Sequence, residues 1–192
     1  MIYRVLALFM LFCLPLSAAA SDPASQKSNI IMETTLGTIK IELFDEKAPV
    51  TCTNFRQYVA DGFFNGLIFH RVIPGFVIQG GGFEPGLKKR NTRAPIVNEA
   101  DNGLKNGRGT LSMARTQDIY SATSQFFINV ADNKSLDHRG KTQAGFGYAV
   151  YGRVIEGMDV VDKIVATPTG TVGMYQDVPK TDMVMLKVYE EK

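Results

Sequence analysis

The chain of 192 residues has no tryptophan, two cysteines, two histidines and a formal net charge of only +2. Each scarcity excludes something. Cys13 lies in the amino-terminal apolar segment, which leaves Cys52 as the only cysteine of the remaining chain, so that part cannot form an internal disulfide. A lone cysteine of this kind is expected to act as a small buried hydrophobe. His70 and His138 do not sit at a metal-ligand spacing, and no acidic loop suggests calcium, so neither a metal nor a cofactor is expected. The near-neutral charge carries no footprint of nucleic-acid or anionic-membrane binding. The Lys88-Lys89-Arg90 cluster reads as a solvated loop.

Long hydrophobic runs are also missing, with one short exception. Arg4 precedes an apolar stretch at 5–16, and Ser17-Ala18-Ala19-Ala20 follows it. This is the layout of a cleavable secretory signal and is too short to span a bilayer comfortably. The expected organisation is a signal peptide at 1–20, a polar leader at 21–29 and one domain at 30–192. The expected location is the periplasm, and the mature form is expected to be a monomer that does not span the membrane.

Hydrophobic periodicity places strands at 30–34, 39–44, 67–73, 76–79, 110–113, 126–130, 148–154 and 183–189. Ile39, Ile41 and Leu43 alternate with Lys40 and Glu42, giving one dry face and one wet face. Pro49 suits the first turn of a helix running to Ala60, and a second short helix is expected at 158–165. The stretch 86–109 is a long connection of the kind that carries function or packs as an ordered lid. The fold class expected is mainly β, a closed eight-stranded antiparallel barrel capped by two α-helices, with an open α+β sheet as the alternative.

The stretch most pointed toward function is Phe69-His70-Arg71-Val72-Ile73-Pro74-Gly75-Phe76-Val77-Ile78-Gln79-Gly80-Gly81-Gly82. Strict alternation would put Phe69, Arg71 and Ile73 on one face, a permanent cation among apolar neighbours. The glycines are not followed by Lys-Ser or Lys-Thr, which excludes a P-loop; they suit a tight turn or a close backbone approach. No nucleophile elbow and no paired acid and base are present. Such a site would work by shape and electrostatics.

These residues resemble the signature of the cyclophilin family of peptidyl-prolyl cis/trans isomerases. Thr110-Leu111-Ser112-Met113-Ala114, Ser124-Gln125-Phe126-Phe127-Ile128 and Phe146-Gly147-Tyr148-Ala149-Val150-Tyr151-Gly152-Arg153-Val154 are similar to later family blocks in the right order. The overall look, with Ala114-Arg115-Thr116 and Tyr148, is similar to the exported bacterial branch.

The resemblance implies a barrel with two capping helices and an isomerase acting on X-Pro bonds of flexible or unfolded polypeptides. It implies Arg71 as the catalytic residue and Phe76, Val77, Met113, Phe127 and Leu136 around the proline pocket. Gln79 would orient the arginine and peptide, and Ala114, Arg115, Gln125 and Tyr148 would line the peptide groove. The chain departs from the family at Val77 (often methionine), Arg115 (asparagine) and Tyr148 (often histidine). It also departs at Ser135, where tight cyclosporin binders usually carry tryptophan, so weak cyclosporin binding is expected. The alternative function is a proline-peptide-binding chaperone module with little catalytic role.

Overall fold

The computed structural model describes residues 28–191. The segment 1–20 read as a signal, and most of the leader at 21–29, lie outside the described residues. In chain order the strands are β1 (Ile30–Thr34), β2 (Gly37–Leu43), β3 (Phe69–Ile73), β4 (Val77–Gly80), β5 (Phe83–Glu84) and β6 (Lys88–Lys89). They continue with β7 (Thr110–Met113), β8 (Phe126–Asn129), β9 (Val150–Glu156), β10 (Thr169–Val172), β11 (Tyr175–Pro179) and β12 (Met185–Glu190). The helices are α1 (Pro49–Ala60) and α2 (Met158–Val165). No helix among the described residues is long and apolar enough to cross a membrane.

Eight strands form one antiparallel sheet in the order β12-β1-β2-β9-β7-β8-β4-β3. The closed barrel expected from the sequence is not formed: the sheet is an open half-barrel with β12 and β3 as its edges. Among the described residues the edges meet at the isolated bridge between Ile68 and Val184, next to which the Gly66 amide donates to the Met185 carbonyl at 2.8 Å. There the Phe69 amide donates to Met183 at 3.0 Å and the Met185 amide to Leu67 at 2.8 Å. Beyond this point the backbone groups find other partners. The Val188 amide bonds the Asn65 side-chain oxygen at 2.9 Å, and β11, from the separate β10–β11 hairpin, packs against β3.

The alternation in β2 buries Ile39, Ile41 and Leu43, as periodicity predicts. Helix α1 begins at Pro49 and buries Cys52, Phe55, Tyr58 and Val59. Phe55 packs on Phe64, Tyr151 and Phe126 with ring centroids 5.0, 5.3 and 5.6 Å apart. The Cys52 thiol donates to the Tyr151 carbonyl at 3.4 Å. Burial, then the Asp45 charge, pushes its pKa up to about 12, which makes it a packing group and not a nucleophile.

Helix α1 has no local side-chain cap. Glu99 supplies one from the long connection, accepting the Val50 and Thr51 amides at 3.1 and 2.8 Å and the Thr51 hydroxyl at 2.6 Å. A carboxylate there satisfies orphan donors and meets the positive end of the helix dipole. The connection is pinned again by an Ile96–Ala122 bridge. It is therefore ordered, and it is not all loop. Lys88 and Lys89 are solvated as expected, but they pair as strand β6 with β5 instead of forming a loop, and Arg90 is anchored. Arg90 donates to Glu84 at 2.8 Å, to the Phe63 carbonyl at 2.6 Å and to the Asn65 carbonyl at 3.1 Å.

Candidate active site

The alternation expected in β3 breaks at one residue. Phe69 pairs with Gly80 and Arg71 with Gln79, so two steps on β3 oppose one on β4 and His70 is the extra residue of a β-bulge. Phe69 consequently turns into the core against Phe126, at 6.2 Å between ring centroids, while Arg71 points the other way. The shared face expected for Phe69 and Arg71 does not exist, because the bulge shifts the side-chain phase between them.

From Arg71 onward the register is regular. Arg71 lies opposite Gln79, Gln79 opposite Phe127, and Phe127 opposite Ser112. Directly opposed residues share a face, so Arg71, Gln79 and Phe127 form one row on the outer face of the half-barrel. The next inner row, Val72, Ile78, Ile128 and Leu111, belongs to the core. Met113 opposes Phe126 on that inner face and is 3% exposed in the core cluster. It is not placed with Phe127 as a pocket residue, since neighbours on a strand face opposite ways.

Arg71 is 40% exposed and makes no side-chain hydrogen bond among the described residues; its charged neighbour is Asp177, with Nε and Oδ2 3.6 Å apart. Gln79 lies across from Arg71 but donates its amide to Gln125 Oε1 at 3.0 Å. No hydrogen bond joins Gln79 to Arg71 here, so Gln79 is tied to the groove and not to the cation. Gly82 explains the position of Gln125: a Cβ on Gly82 would lie 2.6 Å from the Gln125 side chain. The close backbone approach expected of this glycine run is found at that position.

The bulged His70 is 6% exposed and its ring lies 4.6 Å from that of Phe83. Its Nδ1 has no protein partner. The ring is packed into the fold with its Nδ1 left without a hydrogen bond. Burial, reinforced by the Arg71 charge, lowers its pKa to about 4, so it is neutral at pH 7 and leaves Arg71 as the local cation.

Phe127 meets Tyr148 edge-on at 5.6 Å. The Arg115 guanidinium covers the other ring at 4.7 Å and donates to the Gly147 carbonyl at 3.1 Å. Two cavities adjoin at Arg115. One, of about 730 Å³, has Ser135, Leu136 and Tyr148 in its wall; the other, of about 210 Å³, has Gln79, Gly82, Ala114 and Gln125. Arg71, Phe76, Val77 and Phe127 line neither cavity. Phe127 is joined to the larger one through Tyr148, and Arg71 to the smaller through its register with Gln79. Phe76 is half-buried in the β3–β4 turn and Val77 is buried outside the main core cluster.

A profile described as cyclophilin type peptidyl-prolyl cis-trans isomerase/CLD matches residues 29–190. The chain belongs to the cyclophilin-type peptidyl-prolyl cis-trans isomerases. It is 57% identical over 159 residues to peptidyl-prolyl cis-trans isomerase B of Escherichia coli, covering 83% of this chain and 97% of that protein. It is 60% identical over 168 residues to a peptidyl-prolyl cis-trans isomerase of Acinetobacter baylyi, covering 88% of each. Among solved structures, a Cryptosporidium parvum cyclophilin crystallised in the presence of the dipeptide Ala-Pro superposes with a TM-score of 0.72 at 26% identity, covering 85% of this chain and 99% of that one.

The candidate site rests on a buried polar network that sequence reasoning missed. Asp137 accepts the Asn106 amide at 2.7 Å and its side-chain amide at 3.2 Å. Asn106 Oδ1 accepts the Ser112 hydroxyl at 2.8 Å. Asn133 donates to Asn129 at 2.7 Å and to the Phe76 carbonyl at 2.8 Å. The Leu136 amide bonds Asn133, and the Tyr148 amide bonds Leu136 at 3.0 Å. One network therefore holds Phe76, Leu136 and Tyr148 from below. The sequence offered little signal for it: Ser112 and Asn129 are polar residues inside strands, while Asn106, Asn133 and Asp137 lie in the connections.

Proposed function

We propose that this cyclophilin accelerates rotation about X-Pro bonds of exported polypeptides by non-covalent stabilisation of the twisted amide. Resonance opposes the rotation with a barrier of about 20 kcal/mol. In the twisted state the prolyl nitrogen pyramidalises and gains a localised lone pair. Phe76, Phe127 and Leu136 bury the proline ring and fix one side of the rotating bond. Arg71 donates toward the nitrogen, and that hydrogen bond is stronger in the twisted state than in the planar one, which is the requirement for catalysis.

The observation that carries this reading is the unspent hydrogen-bonding capacity of Arg71, in the same outer-face row as Phe127. Rotation about an existing bond needs no proton transfer, in keeping with a site that offers a cation, amides and apolar rings. The secretory pattern at 1–20 supports clients met in the periplasm; protein recovered from that fraction should begin at Ser21 on amino-terminal sequencing.

Arg71→Ala tests the mechanism. In a protease-coupled or NMR exchange assay on a proline peptide, kcat/KM should fall by about 100-fold or more, equivalent to about 2.7 kcal/mol of transition-state stabilisation, with the fold retained. Near-normal turnover by the folded variant would exclude the assignment. Tight peptide binding by the unmutated protein without accelerated exchange would favour the chaperone module instead.

A further inference from the structure

The guanidinium on which this mechanism depends has no partner on its own sheet. Gln79, directly across the ladder, spends its amide on Gln125. Among the described residues, the one charged group close to Arg71 comes from the β10–β11 hairpin, where Asp177 Oδ2 stands 3.6 Å from Nε. Asp177 has φ 59 and, among the described residues, shares positive φ outside glycine only with Leu87. Such a conformation is disfavoured for L residues, although Asp and Asn adopt it more readily than most. It falls where the hairpin register shifts between Gly170 and Val172, so β11 carries an extra residue opposite that point. The backbone irregularity thus sits at the residue whose carboxylate faces Arg71.

A stability role does not account for this. Both side chains are 40% exposed, and an ion pair of that exposure, longer than a hydrogen bond, adds little to folding and is screened by salt. Orientation is a different matter. Arginine carries donors on the Nε edge and on the opposite Nη edge of one rigid plane. A carboxylate on the Nε edge limits rotation of the plane and leaves the Nη edge for a substrate.

We propose that Asp177 is a positioning residue for Arg71: it holds the Nε edge from the hairpin so that the Nη donors face the bound prolyl bond. This rests on the reading of Arg71 as the group that touches the prolyl nitrogen. Asp177 acts through Arg71 and not on substrate, so its loss lowers kcat and leaves KM nearly unchanged.

The test compares Asp177→Asn, Arg71→Ala and the unmutated protein on one proline peptide. Asparagine tolerates positive φ and removes only the charge. Asp177→Asn should lower kcat about three- to tenfold, with KM within about twofold and an unchanged melting midpoint. Molar sodium chloride should lower the kcat of the unmutated protein toward that of Asp177→Asn while leaving the variant unaffected. The Arg71 Nε–Hε signal in an NMR spectrum should shift in the variant. Unchanged kcat with equal salt response overturns the proposal, as does a loss matched by a lower melting midpoint, which assigns Asp177 to the fold. If Arg71→Ala itself remains active, the reading of Arg71 fails and this proposal with it; if Arg71→Ala is inactive and Asp177→Asn is normal, only the role of Asp177 fails.

Discussion

Phe126 and Phe127 are consecutive residues of β8 that face opposite sides of the sheet. Phe126 is 0% exposed, packed edge-on against Phe55, Phe64 and Phe69 in the main core. Phe127 stands in the outer row with Gln79 and Arg71, against Tyr148. The same side chain joins the main core on one face and, equally buried at 4% exposure, stands beside the candidate groove on the other. The arginines divide in the same way. Arg90 has its donors on Glu84 and two carbonyls and lies over the Phe63 ring at 5.7 Å, whereas Arg71 has only a loose ion pair. Groups that hold the fold have their bonding capacity consumed within it, and the group assigned to chemistry keeps its capacity open.

The comparison breaks first, and most visibly, at Phe126. Phe126→Ala should cost about 3–5 kcal/mol through lost burial and a cavity, read as a shifted urea midpoint. The fraction that stays folded should isomerise peptide normally, because the outer row is untouched. Catalysis lost in proportion beyond the unfolded fraction would show that the two faces are not separable.

Next in size is the bulged His70, between the faces. Its folded pKa of about 4 lies below the ordinary 6.5, so between those values the unfolded chain binds more protons than the folded one. Stability therefore falls as pH drops from 6.5 toward 4 and this contribution levels off below 4, for a total of roughly 3 kcal/mol. Urea unfolding across that range should show the loss in the unmutated protein. His70→Phe should remove that component of the slope; an identical pH profile in the variant would contradict it.

The smallest effect is expected at Arg90. Arg90→Ala removes charge-assisted bonds to Glu84 and to the Phe63 and Asn65 carbonyls, and should cost about 1–3 kcal/mol in thermal or urea unfolding. Its kcat/KM should stay within about twofold, the reverse of Arg71→Ala, which should spare stability and remove activity. A catalytic defect in Arg90→Ala would erase the distinction between the two arginines.

Much of this protein was legible in the chain itself. Pro49 marked the start of α1, the alternation of Ile39, Ile41 and Leu43 marked the buried face of β2, and Arg71, Phe127 and Gln125 stood out by residue type and family resemblance. Local signals of this kind depend on spacing within a few residues. The β10–β11 hairpin escaped because Thr169–Val172 and Tyr175–Pro179 are half-exposed and show little alternation. The cap that Glu99 places on α1 escaped because it spans a long sequence separation. Met113 was drawn into the site by resemblance, and strand phase returned it to the core.

The sequence by itself determined most of the element types, the apolar stripes and the presence of Arg71 in an apolar, glycine-bounded segment without an acid–base pair. Those follow from side-chain periodicity and local backbone preference. Only the tertiary structure decided that His70 is a bulge, that Arg71 therefore leaves the core face, that the sheet stays open between β3 and β12, and that Asp177 stands beside the guanidinium. The reason is physical: each depends on register between strands distant in sequence, and register is set by the competition of all backbone donors and acceptors for partners at once.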